Sequence, residues 1–260
     1  MPSTTSKQWL VGAVVGVLIV GYGWYRYRER QMDRLYAGAA GISPESLGTA
    51  EAQVAVRKLG EYRGDRSTMM LLNIALGRTP FVWADTQREA IRALASRRAP
   101  NISASLASLL QPHESLTTRQ AAADALRTLP CTGECVRSIL HYLERVWQGE
   151  PNSEDRASLP PGLNEKVKAD LAKEQEVLYQ SLYTVLKREA RSTIDTLIQV
   201  YGLGTEAPSK FGLALVSRMQ FREACPAVMR SEQIAKQSSS ASFLAPRAEL
   251  EATLHSLKCQ

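Results

Sequence analysis

Hydrophobic and polar positions along this chain follow two different rules. From Trp9 to Tyr25 the sequence reads WLVGAVVGVLIVGYGWY, seventeen residues without a charge. Inside hydrocarbon every backbone polar group must be bonded within the segment, so such a run is expected to form a transmembrane helix. At about 1.5 Å per residue it spans roughly 25 Å, near the short end for crossing a bilayer. Trp9 at one end and Trp24 and Tyr25 at the other supply the aromatic belts expected at the two interfaces. Gly12 and Gly16 form a GxxxG pair, a spacing that lets two such helices approach closely and dimerise. A cleaved signal peptide fits less well, because Tyr-Arg-Tyr-Arg-Glu-Arg follows the apolar run where a small-residue site is needed.

Beyond the run, apolar residues recur at helical spacing and no stretch shows sustained alternation. Ala52, Ala55, Val56 and Leu59 share one helical face, with Thr49 as the expected cap. Met69, Leu72, Ala75 and Leu76 form the next face, capped by Asp65. Asp85 opens a third helix bearing Ala90, Ile91, Ala93 and Leu94, and Pro100 a fourth bearing Ile102, Leu106, Leu109 and Leu110. Thr117 is the expected cap of a fifth with Ala121, Ala122, Ala125 and Leu126. Thr132 is the expected start of a sixth with Val136, Ile139, Leu140, Leu143 and Val146.

These helices recur in pairs. Ala90, Ala93 and Leu94 return 32 residues later as Ala122, Ala125 and Leu126, and Ala55 and Leu59 precede them with Lys58 in place of the second alanine. The second helices carry Leu71-Leu72, Leu109-Leu110 and Tyr142-Leu143 at corresponding places. A small-residue helix followed by a leucine-rich one is the composition that stacked helical hairpins require. On these residues, 49–148 resembles HEAT (armadillo-type) repeats. The resemblance implies a right-handed α-solenoid of helical hairpins, giving an all-α protein with an N-terminal transmembrane helix. Residues 1–8 would then be a short tail, 9–25 the membrane span, and 26–48 a basic juxtamembrane segment and linker. A polar loop with three prolines occupies 149–163, and 164–260 reads as further hairpins ending in a capping helix. There the expected apolar faces include Val167, Leu171, Val177 and Leu178, then Ile194, Leu197 and Val200. Gln233–Ser242 is serine-rich and reads as a mobile stretch, with a last helix over Pro246–Leu257.

Charge changes the picture at one place. The chain carries a net +6, and residues 1–34, with five basic and two acidic groups, hold half of it. A nucleic-acid binder would concentrate that excess on its folded domain, so no nucleic-acid partner is expected. Arg26, Arg28, Arg30 and Arg34 instead follow the apolar run, where they serve as topology determinants or meet lipid headgroups. The positive-inside bias places them, and the helices after them, in the cytoplasm of a bacterium or at an organelle's outer membrane, with Cys131 and Cys135 reduced. Opposed to this are the sequon Asn101-Ile102-Ser103 and the even number of cysteines, Cys131, Cys135, Cys225 and Cys259. A Cys131–Cys135 bridge is expected only on the other side of the membrane.

Candidate chemistry is sparse. Cys131, Cys135 and His141 lack a local fourth ligand for zinc, so no metal site is expected. No nucleophile elbow, HExxH or phosphate loop occurs, and neither catalysis nor a cofactor is expected. Pro80-Phe81-Val82-Trp83 is an apolar loop in which Trp83, if exposed, is a candidate partner contact. The resemblance therefore implies a membrane-tethered scaffold or adaptor for an unknown protein. A structural subunit of a membrane complex and a helical-repeat enzyme are the alternatives.

Overall fold

The computed structural model describes residues 4–42, 48–97, 100–111, 113–148, 165–237 and 244–259; the side chains of 4–16, 100, 165–169, 171 and 244–246 lie outside that description. Outside it, too, lie the polar loop 149–163, the expected core positions Val167 and Leu171, and the surroundings of Trp9, Gly12 and Gly16. Every regular element among the described residues is helical, so the all-α expectation holds. The chain divides into two compact units, Met1–Leu94 and Ala95–Gln260.

Unit 1 contains α1 (Thr4–Ala39), α2 (Thr49–Glu61), α3 (Asp65–Ala75) and α4, which runs from Ala84 to Ala95. α1 does not stop where the apolar run ends. It continues through the arginines to Ala39, where Gly38, Ala39 and Ala40 are buried, so a packed helix stands where a linker was expected. This lower half packs against α2 and α3. Arg66 of α3 reaches both Glu29 (2.8 Å) and Asp33 (2.7 Å), and the Asn73 amide lies 3.5 Å from the Tyr36 hydroxyl. α2 and α4 approach closely: a Cβ added at Gly60 would lie 3.2 Å from that of Ala93, and Arg57 bonds Glu89 at 2.7 Å.

Unit 2 begins with α5 (Pro100–Ala107) and a single 3-10 turn over Ser108–Leu110. It continues with α6 (Leu116–Leu126), α7 (Glu134–Trp147), α8 (Glu165–Arg188) and α9 (Ala190–Tyr201). The last helices are α10 (Lys210–Met219), α11 (Cys225–Gln237) and α12 (Leu244–Leu257). Packing skips alternate helices as well as joining neighbours. α5 touches both α6 and α7, α6 touches α8, and α7 touches α8 and α9. At the end of the chain α12 packs on α10 and α11.

The residue pairs that recur in sequence are buried in both units. Leu59, Leu94 and Leu126 are fully enclosed, as are Ala90 and Ala122, and Leu71, Leu109 and Leu143 line the core. Several expected positions are corrected. Met69, Val177 and Val200 are exposed, because the buried faces of their helices run through Leu71 and Ile74, through Leu178 and Leu182, and through Ile194, Leu197 and Tyr201. Thr117 does not cap α6; the Ser115 hydroxyl accepts the Thr118 N–H at 3.1 Å. Thr49 lies inside α2, where the Gly48 N–H donates to the Glu51 carboxylate at 3.1 Å. α11 extends to Gln237, so the first part of the serine-rich stretch is helical.

The expectation that Cys131 and Cys135 are reduced is corrected, since all four cysteines are bridged. Cys131–Cys135 ties the turn before α7 to its first turn, and Cys225–Cys259 joins the start of α11 to the residues after α12. Two arginines of unit 2 bind across its helices, one buried and one at the surface. Arg119 on α6 is fully buried, with its guanidinium 5.9 Å from the Tyr142 ring centre and donating to the Tyr142 hydroxyl at 3.1 Å. Arg188, ending α8, donates to the Leu126, Arg127 and Leu129 carbonyls, supplying a cation where the α6 helix leaves acceptors unpaired.

Candidate functional site

Three short helical stripes in unit 2 build an apolar groove. On α7, Leu143, Val146 and Trp147 follow each other at i, i+3 and i+4, so one face turns them the same way. On α8 the same rule aligns Tyr179 with Tyr183. On α10 it aligns Phe211, Ala214, Leu215 and Arg218. These residues line a groove of about 240 Å³ that is open along one side. Its rim is aromatic and braced. The Trp147 and Phe211 rings are 6.1 Å apart, and Phe211 in turn meets Tyr201 at 5.4 Å.

Tyr201 is fixed from behind. Burial, together with the Glu144 carboxylate that accepts its hydroxyl, holds its phenol well above the ordinary value. At the other end the Arg218 guanidinium lies over the Tyr183 ring, 4.4 Å from its centre. Burial pushes the Tyr183 phenol up while the Arg218 charge opposes it. Among the described residues no carboxylate pairs with Arg218. Glu144 is engaged by Tyr201 and by the Gln148 amide (3.4 Å), and Glu176 by Gln180 (2.5 Å). Trp147 is 53% exposed although its ring meets Phe211. A second hollow of about 300 Å³ lies on its other side, lined by Lys210, Leu213, Glu249 and Thr253.

The structure scatters the residues singled out from sequence. Trp24 and Tyr25 are exposed on α1; Trp24 stacks on Tyr27 at 5.9 Å, and the Tyr25 hydroxyl donates to Glu29 at 2.8 Å. Arg26 pairs with Glu29 at 3.6 Å, and Arg28 lies over the Tyr62 ring at 5.3 Å, so two of the four arginines are held by unit 1 itself. Arg30 and Arg34 face solvent. Trp83 is 44% exposed and meets Phe81 edge-on at 4.8 Å. That pair sits at the foot of α1: Gly41, at a φ of 64°, approaches so closely that a Cβ would come within 2.9 Å of Phe81 Cβ. Sixteen residues of nearly continuous helix separate Tyr25 from Gly41, roughly 24 Å. The Phe81–Trp83 patch is therefore far from the apolar run.

Cys131 and Cys135 bond each other, and His141 lies exposed beside Glu144 at 3.9 Å. Among the described residues no helix is long and apolar enough to cross a membrane. The side chains of 9–16, the first half of the apolar run, lie outside those residues. No family model matches the chain, and neither a curated protein nor a solved structure matches it.

Proposed function

We propose that this chain is a non-catalytic interaction scaffold, tethered to a membrane through residues 9–25 and carrying HEAT-like helices. The change of environment along α1 carries the reading. From Val17 to Tyr25 every residue is exposed, with Val17, Leu18, Ile19 and Val20 at 65–73%, while from Glu29 to Ala39 the same helix covers one face and leaves Arg30, Asp33 and Arg34 outside. A helix that is apolar all round needs a surrounding of its own kind, and hydrocarbon supplies it. Gly12 and Gly16 would then give two copies a face for close contact within the bilayer.

The HEAT-like reading is supported by the packing of α5 on α7, α6 on α8 and α7 on α9, the alternation of a two-layer helical stack. The two bridges favour the oxidising side of the membrane for the helical units. The arginines count less against this than their number suggests, because Arg26 and Arg28 have partners in unit 1.

Membranes from cells expressing the full chain, washed in alkaline carbonate, test the tether. The chain should stay with the membrane, and a chain starting at Arg26 should be released. Release of the full chain would remove the tether. Location is read separately, by trapping thiols in acid and then tagging them with a polymer maleimide. No tag before reduction, and four after it, is the expected pattern. Four tags before reduction would return the helices to the cytoplasm.

A further inference from the structure

The groove of unit 2 has a chemistry specific enough to name its occupant. Its floor, from Leu143, Val146, Ala214 and Leu215, is apolar, and its walls are the rings of Trp147, Tyr183 and Phe211. At about 240 Å³ it falls below the roughly 300–1,000 Å³ of most small-molecule sites, which suits one bulky side chain rather than a whole metabolite. Arg218 closes one end with its guanidinium over the Tyr183 ring, 4.4 Å from its centre, and no carboxylate among the described residues pairs with it. The same neighbourhood holds two acids, and both already have hydrogen-bond partners: Glu144 with Tyr201, Glu176 with Gln180. These neutral partners leave both carboxylates charged, but neither acid lines the groove; among its lining residues Arg218 alone is charged, and it sits one helical turn from the apolar floor.

We propose that this groove binds the C-terminal end of a partner polypeptide, with a large apolar last side chain on the floor beside Trp147 and the terminal carboxylate on Arg218. A guanidinium edge matches a carboxylate's two oxygens, and such charge-assisted bonds are the stronger kind. Trp, Tyr and Arg are also the residues that dominate binding hot spots. The rim is braced before any ligand arrives, through Trp147 on Phe211 and Phe211 on Tyr201, so little ordering is left for binding to impose. The proposal rests on the scaffold reading and adds the class of partner to it.

The test uses the full chain in detergent micelles and two probes, fluorescein-Gly-Ser-Gly-Leu-Phe with a free C-terminal carboxylate and the same peptide amidated. Fluorescence anisotropy should show the acid binding at least tenfold more tightly than the amide. Arg218→Gln should abolish that preference and Arg218→Lys should keep part of it. Trp147→Ala should weaken both probes at an unchanged melting temperature. Equal binding of acid and amide, or a preference that survives Arg218→Gln, overturns the carboxylate assignment. No binding of either peptide at millimolar concentration to a chain of unchanged melting temperature overturns the groove as a peptide site. So does a change of oligomeric state on Trp147→Ala without peptide binding, which would give the groove to a second copy of the chain. Each of these failures leaves the tether standing, because carbonate extraction reads α1 and not the groove.

Discussion

Unit 1 and unit 2 are built from similar helices yet are held together by different means. Unit 1 contains no cysteine, and its helices are laced by ion pairs: Arg66 to Glu29 and Asp33, Arg57 to Glu89. Unit 2 has both disulfides, a buried Arg119–Tyr142 contact and Arg188 seated on the end of α6. Exposed ion pairs contribute about 0–1 kcal/mol each, so those of unit 1 orient its helices more than they stabilise them. What holds unit 1 is the packing of α1, the helix that also carries the apolar run. The apolar run and the packing of unit 1 thus share one helix, whereas unit 2 is closed by covalent bonds of its own.

The largest effect should come from cutting α1 at two places. A chain beginning at Arg26 loses the apolar run and keeps the half of α1 that packs on α2 and α3; it should be soluble and melt cooperatively. A chain beginning at Gly41 also loses Glu29, Asp33, Tyr36, Ala39 and Ala40, and unit 1 should unfold. Hydrogen exchange on both fragments checks this, with protection in α2 and α3 expected only in the longer one. Equal protection in the two would show that unit 1 does not depend on the packed half of α1.

Reduction should act on the other unit. In the chain-entropy picture, a loop of 34 residues closed by Cys225–Cys259 contributes about 4 kcal/mol, and the short Cys131–Cys135 loop about 2 kcal/mol. Reductant should therefore raise exchange in α11 and α12 first and in the start of α7 less, and leave α2 and α3 unchanged. A uniform loss of protection across both units would erase the contrast between them.

What could be read from the sequence divides along the same line as local and non-local structure. The pairs Leu71-Leu72, Leu109-Leu110 and Tyr142-Leu143 are buried as their spacing requires, because helical periodicity is a property of neighbouring residues. The starts of helices were harder to place. Glycine precedes α2, α3 and α7 and offers no side chain to recognise, and Ser115 and Thr117 are both competent hydroxyls only two residues apart. The groove was legible only in pieces. Phe211, Ala214, Leu215 and Arg218 form a visible stripe, yet nothing within α10 says that Trp147 and Tyr183 meet it. Arg119 reads as a solvent-facing charge among polar neighbours until Tyr142, 23 residues later, supplies its acceptor. The pairing of Cys225 with Cys259 is likewise non-local.

Equivalent core positions give a more even comparison. Leu94 and Leu126 are both fully buried, one in each unit, and replacing either with alanine should cost on the order of 2–5 kcal/mol. Chemical denaturation of each variant, with and without reductant, separates the two cases. Leu126→Ala and reductant both weaken unit 2 and should reinforce each other there, while Leu94→Ala should be indifferent to the redox state. A cost no larger than that of Met69→Ala, an exposed position, would remove the equivalence of the two leucines.

The smallest expected effect concerns pH, and it belongs to unit 1 alone. The Tyr25 hydroxyl, and after it Arg66, hold the Glu29 carboxyl below its ordinary value near 4.5. A carboxyl depressed on folding stabilises the fold above its unfolded pKa, and that contribution is lost as pH falls through the lower, folded value. Glu29 is only half-buried and its arginine partners lie at the surface, where salt screens them, so the change is slight and is best read as a difference. The melting temperature of the full chain minus that of Glu29→Gln should be small and positive at pH 7 and low ionic strength. It should shrink towards zero as the pH is lowered from 5 to 3, and be smaller throughout in high salt. Arg66→Gln should reduce the pH dependence further, because it removes the ion that bridges α1 and α3. A difference that stays constant from pH 7 to 3 would mean that the Glu29 charge contributes nothing to the joint between α1 and α3. Its hydrogen bond to Tyr25 would then be a local contact of α1 alone.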